Sequence, residues 1–135
     1  MKNHFLVLPL LFLIFSCSES VDSKNPLVDF NSSPNEWLLH GRTYAEERHS
    51  PLDQINTSNV DQIGLSWSFE TGTNRGHETT PIVKDGVMFI TAPWSVVHAL
   101  DAKTGDLLWT HDPKVERAWA NNACCDVVNL SLIHI

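Results

Sequence analysis

The chain is poor in positive charge and in long apolar stretches. Of its 135 residues, 9 are Lys or Arg and 16 are Asp or Glu, which gives a formal net charge of −7. Nucleic-acid binding depends on clustered Lys and Arg, so this balance gives no electrostatic reason to expect a nucleic-acid partner. The main apolar run, residues 5–15, is shorter than the ~20 residues that a membrane-spanning helix needs.

That apolar run is typical of the core of a secretory signal. Residues 14–17 resemble a bacterial lipobox, in which the cysteine is lipidated and becomes the first residue of the mature protein. Phe15 is larger than that pattern usually allows, so ordinary signal cleavage nearby remains an alternative. We therefore predict a signal over residues 1–17, lipidation at Cys17 with a possible lipid anchor, a flexible linker over residues 18–35, and a periplasmic location.

Two short helical segments are predicted after the linker. Ser33 can cap a helix that has Pro34 at its first position and Glu36 at the capping-box position, and this helix would end at Gly41. Residues 60–63 predict a single helical turn that stops before a glycine.

The remaining pattern favours β-strands joined by tight turns. Turn signals lie at Asp85-Gly86 and Thr104-Gly105. The predicted strands cover residues 65–69, 79–83, 87–91, 96–100 and 106–110.

A repeat indicates the architecture. Trp67 and Trp109 stand near the middle of two predicted strands, 42 residues apart, and a period of ~40–45 residues is typical of a propeller blade. A propeller needs at least about four blades. We therefore expect an all-β chain that forms the N-terminal part of a β-propeller over residues 36–129, about one blade with parts of its neighbours. Residues 130–135 are expected to be a truncation tail.

Two of the three cysteines are adjacent, at Cys124 and Cys125. Neighbouring Cα atoms lie ~3.8 Å apart, whereas disulfides favour ~4.4–6.8 Å, so a bond between them would be strained and would close no loop. Two unpaired thiols therefore remain an alternative. Export to an oxidising compartment favours the disulfide. Because such a bond would add little stability, a need for a polarisable sulfur pair at this position is the better explanation for it.

Several segments carry a family resemblance to the opening of pyrroloquinoline-quinone-dependent alcohol dehydrogenases of the methanol/ethanol family. These segments are residues 37–44, 48–52, 54–56, 59–60, 74–81 and 124–129, and the resemblance covers residues 36–129. It implies an eight-bladed β-propeller with the quinone near its axis. It also implies a vicinal disulfide, Cys124–Cys125, that stacks on one face of the quinone, and a cofactor contact from Glu78.

The resemblance further implies a reaction, the oxidation of a primary alcohol to an aldehyde with electrons passing to a cytochrome c. The metal, usually calcium, and the catalytic base would be held beyond residue 135, so no catalytic or metal-binding residue is assigned in this chain. Some family members carry haem c in a C-terminal cytochrome domain. The family has an Arg that binds the quinone where this chain has Leu130, and Asp126 is expected to fix the local turn.

The competing hypothesis is a non-enzymatic propeller lipoprotein that binds other proteins by strand addition during outer-membrane assembly. Such a scaffold has no need for the adjacent cysteines or for the segment around Glu78. These two features favour the dehydrogenase.

Overall fold

The computed structural model of the protein describes residues 33–123 and 125–132. The predicted signal over residues 1–17, with Cys17, lies outside the described residues, as do most of the linker and Cys124. The described part contains one antiparallel sheet in the order β1-β2-β3-β4. Its strands are β1 (Ile82–Lys84), β2 (Val87–Ala92), β3 (Val96–Asp101) and β4 (Leu107–His111), and its 3-10 helices are Val60–Gln62, Pro93–Ser95 and Arg117–Asn122.

The first hairpin has the predicted turn. β1 pairs with β2 from Lys84↔Val87 outward, which leaves Asp85 and Gly86 as the two loop residues. Both have positive φ, 51° and 78°, as a type I′ turn requires. The Asp-Gly signal therefore fixed both the position of the turn and the register of the two strands.

The turn between β3 and β4 is built around Asp101. Its Oδ1 accepts hydrogen bonds from the backbone N–H groups of Lys103 and Thr104, each at 2.9 Å, and its carbonyl accepts from Gly105 N–H at 2.8 Å. The backbone hydrogen bonds from Thr104 and Lys103 stabilise the carboxylate and lower the pKa of Asp101. The Asp and Thr-Gly positions thus form the turn that the repeat predicts.

The two tryptophan segments are connected through this turn. Gly105 has a φ of 77°, and a Cβ added there would lie 2.5 Å from Cδ2 of Trp67. The indole of Trp67 therefore lies against the glycine of the next repeat, which only a residue without a side chain allows. This contact packs the first Trp segment against the turn that precedes the second.

The core lies on β2 and β3 together with a segment that precedes the sheet. Ala99 and Leu100 on β3 are almost fully buried, and Leu38 and Leu39 in the preceding segment are also buried. Every residue of β4 is exposed, including Trp109 at 47%. β4 is therefore an exposed edge strand of the described sheet.

The predicted helix after Ser33 is wrong. Trp37 forms an isolated antiparallel bridge with Val83 of β1, with N–H···O distances of 3.0 and 2.8 Å. The Glu36 carboxylate accepts from Asp85 N–H at 3.0 Å instead of closing a capping box. Pairing with the free edge of β1 satisfies two backbone groups and outweighs the local preference for a helix.

The predicted turn at residues 60–63 is confirmed as the 3-10 helix Val60–Gln62. The predicted strand over residues 65–69 is not, because this segment has no strand partner within residues 33–123 and 125–132. Alternation specifies which side chains share a face, but not whether a neighbouring strand is present. Leu65 is accordingly 87% exposed. Within the same residues, no helix is long and apolar enough to cross a membrane.

Candidate functional site

The candidate site lies at the end of the sheet where β2 passes into β3. Ala92 pairs with Val96, so Pro93, Trp94 and Ser95 form a three-residue loop. Trp94 and Ser95 both have positive φ, 67° and 58°. The left-handed conformation costs a non-glycine residue about 1–2 kcal/mol, so neighbouring contacts must hold this loop in place.

The segment that follows the adjacent cysteines supplies those contacts. Trp94 N–H donates to the carbonyl of Val127 at 2.8 Å. The Asn129 side chain donates to Ser95 Oγ at 3.2 Å, and the Asn129 carbonyl accepts from Thr91 Oγ1 at 3.1 Å. The hydrogen bonds between this loop and the segment around Asn129 therefore stabilise both, and they offset the strain of the two left-handed residues.

The segment that contains Glu78 reaches the same end of the sheet. Thr80 N–H donates to the carbonyl of Leu130 at 2.7 Å, and Ser131 Oγ donates to the carbonyl of Thr80, also at 2.7 Å. Thr79 Oγ1 accepts from Thr91 N–H at 3.0 Å. Glu78 is therefore adjacent in sequence to residues that bind both β2 and the segment after the cysteines.

An ion pair connects these two segments a second time. Arg75 Nη2 lies 3.4 Å from Asp126 Oδ1, and the same carboxylate accepts from Val127 N–H at 2.7 Å. Asp126 has a φ of 101°, so the bond from its side chain to Val127 N–H stabilises an unusual backbone conformation. This agrees with the expectation that Asp126 fixes the local turn. Glu78 and Cys125 are both exposed.

The indole of Trp94 is the centre of a cationic cluster. The Arg117 guanidinium carbon lies 4.1 Å from its ring centroid, and that of Arg75 lies 5.4 Å away. Both distances fall within the ≈ 6 Å range of cation–π attraction. The Trp94 ring therefore contacts the segment before Glu78 and the 3-10 helix before the cysteines. Its backbone N–H binds the segment after them.

A buried histidine lies on β3. His98 is 7% exposed; its Nδ1 lies 2.9 Å from Thr110 Oγ1, and its Nε2 has no hydrogen-bond partner in the described structure. Desolvation lowers the pKa of His98, and the nearby His77 lowers it further. His77 itself is exposed. No group of three or more His, Cys, Asp or Glu in the described ranges could hold a metal ion.

The structure brings together the neighbourhoods of the predicted site residues Glu78 and Cys125, while Cys124 lies outside the described residues. Sequence reasoning gave no role to Arg75, Trp94 or Arg117. Arg75 lies in a segment that carried the resemblance, but no spacing rule could have joined it to residues about 20 and 40 positions away. The positive φ of Trp94 likewise has no signal in the sequence, because neither glycine nor asparagine occupies that position.

The antiparallel sheet, the 42-residue recurrence of Trp and the contact between Trp67 and Gly105 define a blade unit of a β-propeller. Residues 37–130 match the family described as glucose/ethanol/alcohol dehydrogenase, beta-propeller domain, which is designated PQQ. The chain belongs to this family, as the sequence resemblance predicted.

Characterised relatives agree with the family match. The chain is 57% identical over 94 residues to the 1-butanol dehydrogenase (cytochrome c) of Thauera butanivorans, covering 70% of this chain and 14% of that protein. It is 52% identical over 101 residues to the dehydrogenase subunit of the quinone alcohol dehydrogenase of Gluconobacter oxydans, covering 75% of this chain and 13% of that protein.

Solved structures give the same fold. The quinohemoprotein alcohol dehydrogenase ADHIIG of Pseudomonas putida superimposes with a TM-score of 0.72 at 53% identity, covering 74% of this chain and 15% of that one. A europium-containing methanol dehydrogenase gives a TM-score of 0.69 at 39% identity, covering 76% and 18%. The chain therefore spans only about a seventh of the length of the curated relatives.

The described residues are chemically suited to a planar quinone. Cys125 and Glu78 are both exposed, so the segments that carry a thiol and a carboxylate lie at the surface of the described structure. The segments that carry them are joined by the Arg75–Asp126 ion pair and by the hydrogen bond from Thr80 to Leu130. Leu130 is 60% exposed and cannot supply the charge-assisted contact that an arginine would make there.

Proposed function

We propose that this chain is part of a periplasmic quinoprotein that oxidises primary alcohols to aldehydes and passes the electrons to a cytochrome c. The single observation that carries the proposal is the joining of the Glu78 segment to the segment after the cysteines through the Arg75–Asp126 ion pair, 3.4 Å apart. The family match supports the cofactor. The Thauera butanivorans relative, which is named as a cytochrome c-linked butanol dehydrogenase, supports the substrate class and the acceptor.

In this proposal pyrroloquinoline quinone, when bound, supplies the two-electron oxidation of the alcohol. Cys124 and Cys125 form a vicinal disulfide that packs against one face of the ring and excludes water from it. Glu78 contacts the cofactor through its carboxylate. Calcium would be held by residues outside this sequence, and haem c would belong to a C-terminal cytochrome domain.

The residues described in the structure orient these groups. Asp126 holds the backbone after the cysteines in its left-handed conformation through its bond to Val127 N–H. Asn129 fixes the same segment against Ser95 and Thr91. Because the cofactor would contact this segment directly, a shift of its backbone would change both the affinity for the quinone and the position of the ring.

The test uses the full-length protein, produced with its leader in a periplasm and reconstituted with pyrroloquinoline quinone and calcium. Dye-linked ethanol oxidation is measured before and after mild reduction. We expect activity that requires the quinone and falls on reduction. A well-folded protein that binds no quinone would overturn the proposal in favour of the scaffold hypothesis.

Cysteine variants separate the proposed roles. Cys124→Ala and Cys125→Ala should each abolish the sensitivity to reduction and lower activity, because either one removes the bond. Cys17→Ser is the matched control, and it should leave quinone-dependent activity intact while releasing the protein from the membrane fraction. If Cys17→Ser loses quinone-dependent activity while Cys124→Ala and Cys125→Ala keep it, the proposed role of the Cys124–Cys125 disulfide at the quinone is wrong.

A further inference from the structure

We propose that Trp94 is a positioning residue for the cofactor-binding segment, acting through its indole ring on Arg75 and Arg117. The inference rests on the proposed function, since it assigns a support to the same site. It starts from an unusual backbone: Trp94 has φ 67° and ψ 25°. A bulky side chain rarely adopts this conformation, whereas glycine would adopt it at little cost.

The ring is what a glycine would lack. Arg117 opens the 3-10 helix Arg117–Asn122, which leads directly toward the cysteine pair, and its guanidinium carbon lies 4.1 Å from the ring centroid. Arg75 lies three residues before Glu78, and its guanidinium carbon is 5.4 Å from the same centroid. One aromatic ring thus attracts the segments that precede both predicted cofactor contacts.

The same residue also fixes the far side of the cysteine pair. The backbone N–H of Trp94 donates to the backbone carbonyl of Val127 at 2.8 Å, and the Arg75 side chain forms an ion pair with Asp126 at 3.4 Å. The chain is therefore held before the cysteines by Arg117 and after them by Val127 and Asp126. Every one of these contacts includes Trp94 or an arginine that lies over its ring.

Trp94 is partly buried, and the Arg75 side chain is 42% exposed, so the contacts are only partly desolvated. Cation–π pairs in such surroundings fall between the exposed and the desolvated limits, which corresponds to roughly tenfold in an equilibrium constant. The expected effect is therefore a loss of quinone affinity at an intact fold. At saturating quinone, the KM for alcohol should stay unchanged, because no contact of Trp94 with substrate is invoked.

The experiment titrates pyrroloquinoline quinone into the full-length apoprotein and its variants. Trp94→Gly keeps the left-handed backbone without the ring, and we expect roughly tenfold weaker binding. Trp94→Phe keeps an aromatic face and should stay within about threefold of wild type. Trp119→Leu is the matched control, since Trp119 lies in the same 3-10 helix as Arg117 but is 61% exposed; its affinity should be unchanged.

If the Trp94 variants do not fold, Arg117→Gln and Arg117→Lys replace them. Only Lys restores a cation over the ring, so only Arg117→Lys should recover wild-type affinity. Wild-type affinity in Trp94→Gly, or equal losses in Trp94→Gly and Trp94→Phe, would overturn the role of the ring. A wild-type protein that binds no quinone would instead refute the proposed function, so the two failures are distinguishable.

Discussion

Replacing Gly105 with alanine should disrupt the contact that connects successive repeats. Two separate features of this position oppose a side chain. Its φ of 77° lies in the left-handed region, and an added Cβ would lie 2.5 Å from both Cδ2 and Cε3 of Trp67. These are ring atoms of a bulky indole, so they cannot move aside as the end of a flexible side chain would.

The magnitude follows from adding the two effects. The left-handed backbone costs an alanine about 1–2 kcal/mol, and overpacking typically costs about 1–3 kcal/mol. The expected destabilisation is therefore about 2–5 kcal/mol. Gly86→Ala is the matched control, because Gly86 has nearly the same φ, 78°, but nothing within 4 Å of its added Cβ. It should cost only the backbone contribution, about 1–2 kcal/mol.

The assay is amide hydrogen exchange of the full-length protein, read by mass spectrometry on peptides that cover residues 101–106. The Gly105 and Asp101 amides report directly, since they donate to Asp101 O and Asp106 O at 2.8 and 2.9 Å. Gly105→Ala should accelerate exchange about 5- to 150-fold more than Gly86→Ala does at its own turn.

The tryptophan can be removed to test the cause. In a Trp67→Ala background the ring is absent, so Gly105→Ala should then cost no more than Gly86→Ala. If Gly105→Ala and Gly86→Ala have equal effects while Trp67 is present, the close contact does not exist in solution, and the link between repeats would have to lie elsewhere.

Two further predictions concern buried and exposed aromatic residues. Burial lowers the pKa of His98 in the folded protein, so the unfolded chain binds a proton at this histidine more readily. The contribution of neutral His98 to folding stability is therefore complete above the ordinary pKa of 6.5, and it is lost as the pH falls through the lowered pKa of the folded state. The melting temperature should therefore fall more between ~pH 7.5 and ~pH 5 for wild type than for His98→Asn, and parallel curves would contradict the assignment. Trp109, 47% exposed on β4, should be covered by a following repeat in the full-length protein, as Trp67 is covered by Gly105. Oxidative footprinting should then label Trp119 far more than Trp109, and equal labelling would count against the propeller packing of β4.

The sequence alone determined the features that depend on neighbouring residues. The Asp85-Gly86 pair predicted a turn because only a few residue types accept two positive φ values. The Asp101 and Thr104-Gly105 positions predicted the second turn for a similar reason, through a side-chain oxygen two and three residues before the amides it binds. The recurrence of Trp predicted the propeller, since a repeat is visible along the chain before any contact is known.

Only the tertiary structure decided which segments pair. Trp37 stands in a helix-like pattern, yet it bridges Val83, because the edge of β1 offered hydrogen bonds that no local preference could match. Residues 65–69 alternate like a strand but have no strand partner in the described ranges. The cluster of Arg75, Trp94 and Arg117 likewise needed three distant segments to meet at one end of the sheet. Contacts of this kind depend on how distant segments fold together, and local sequence patterns do not predict that arrangement.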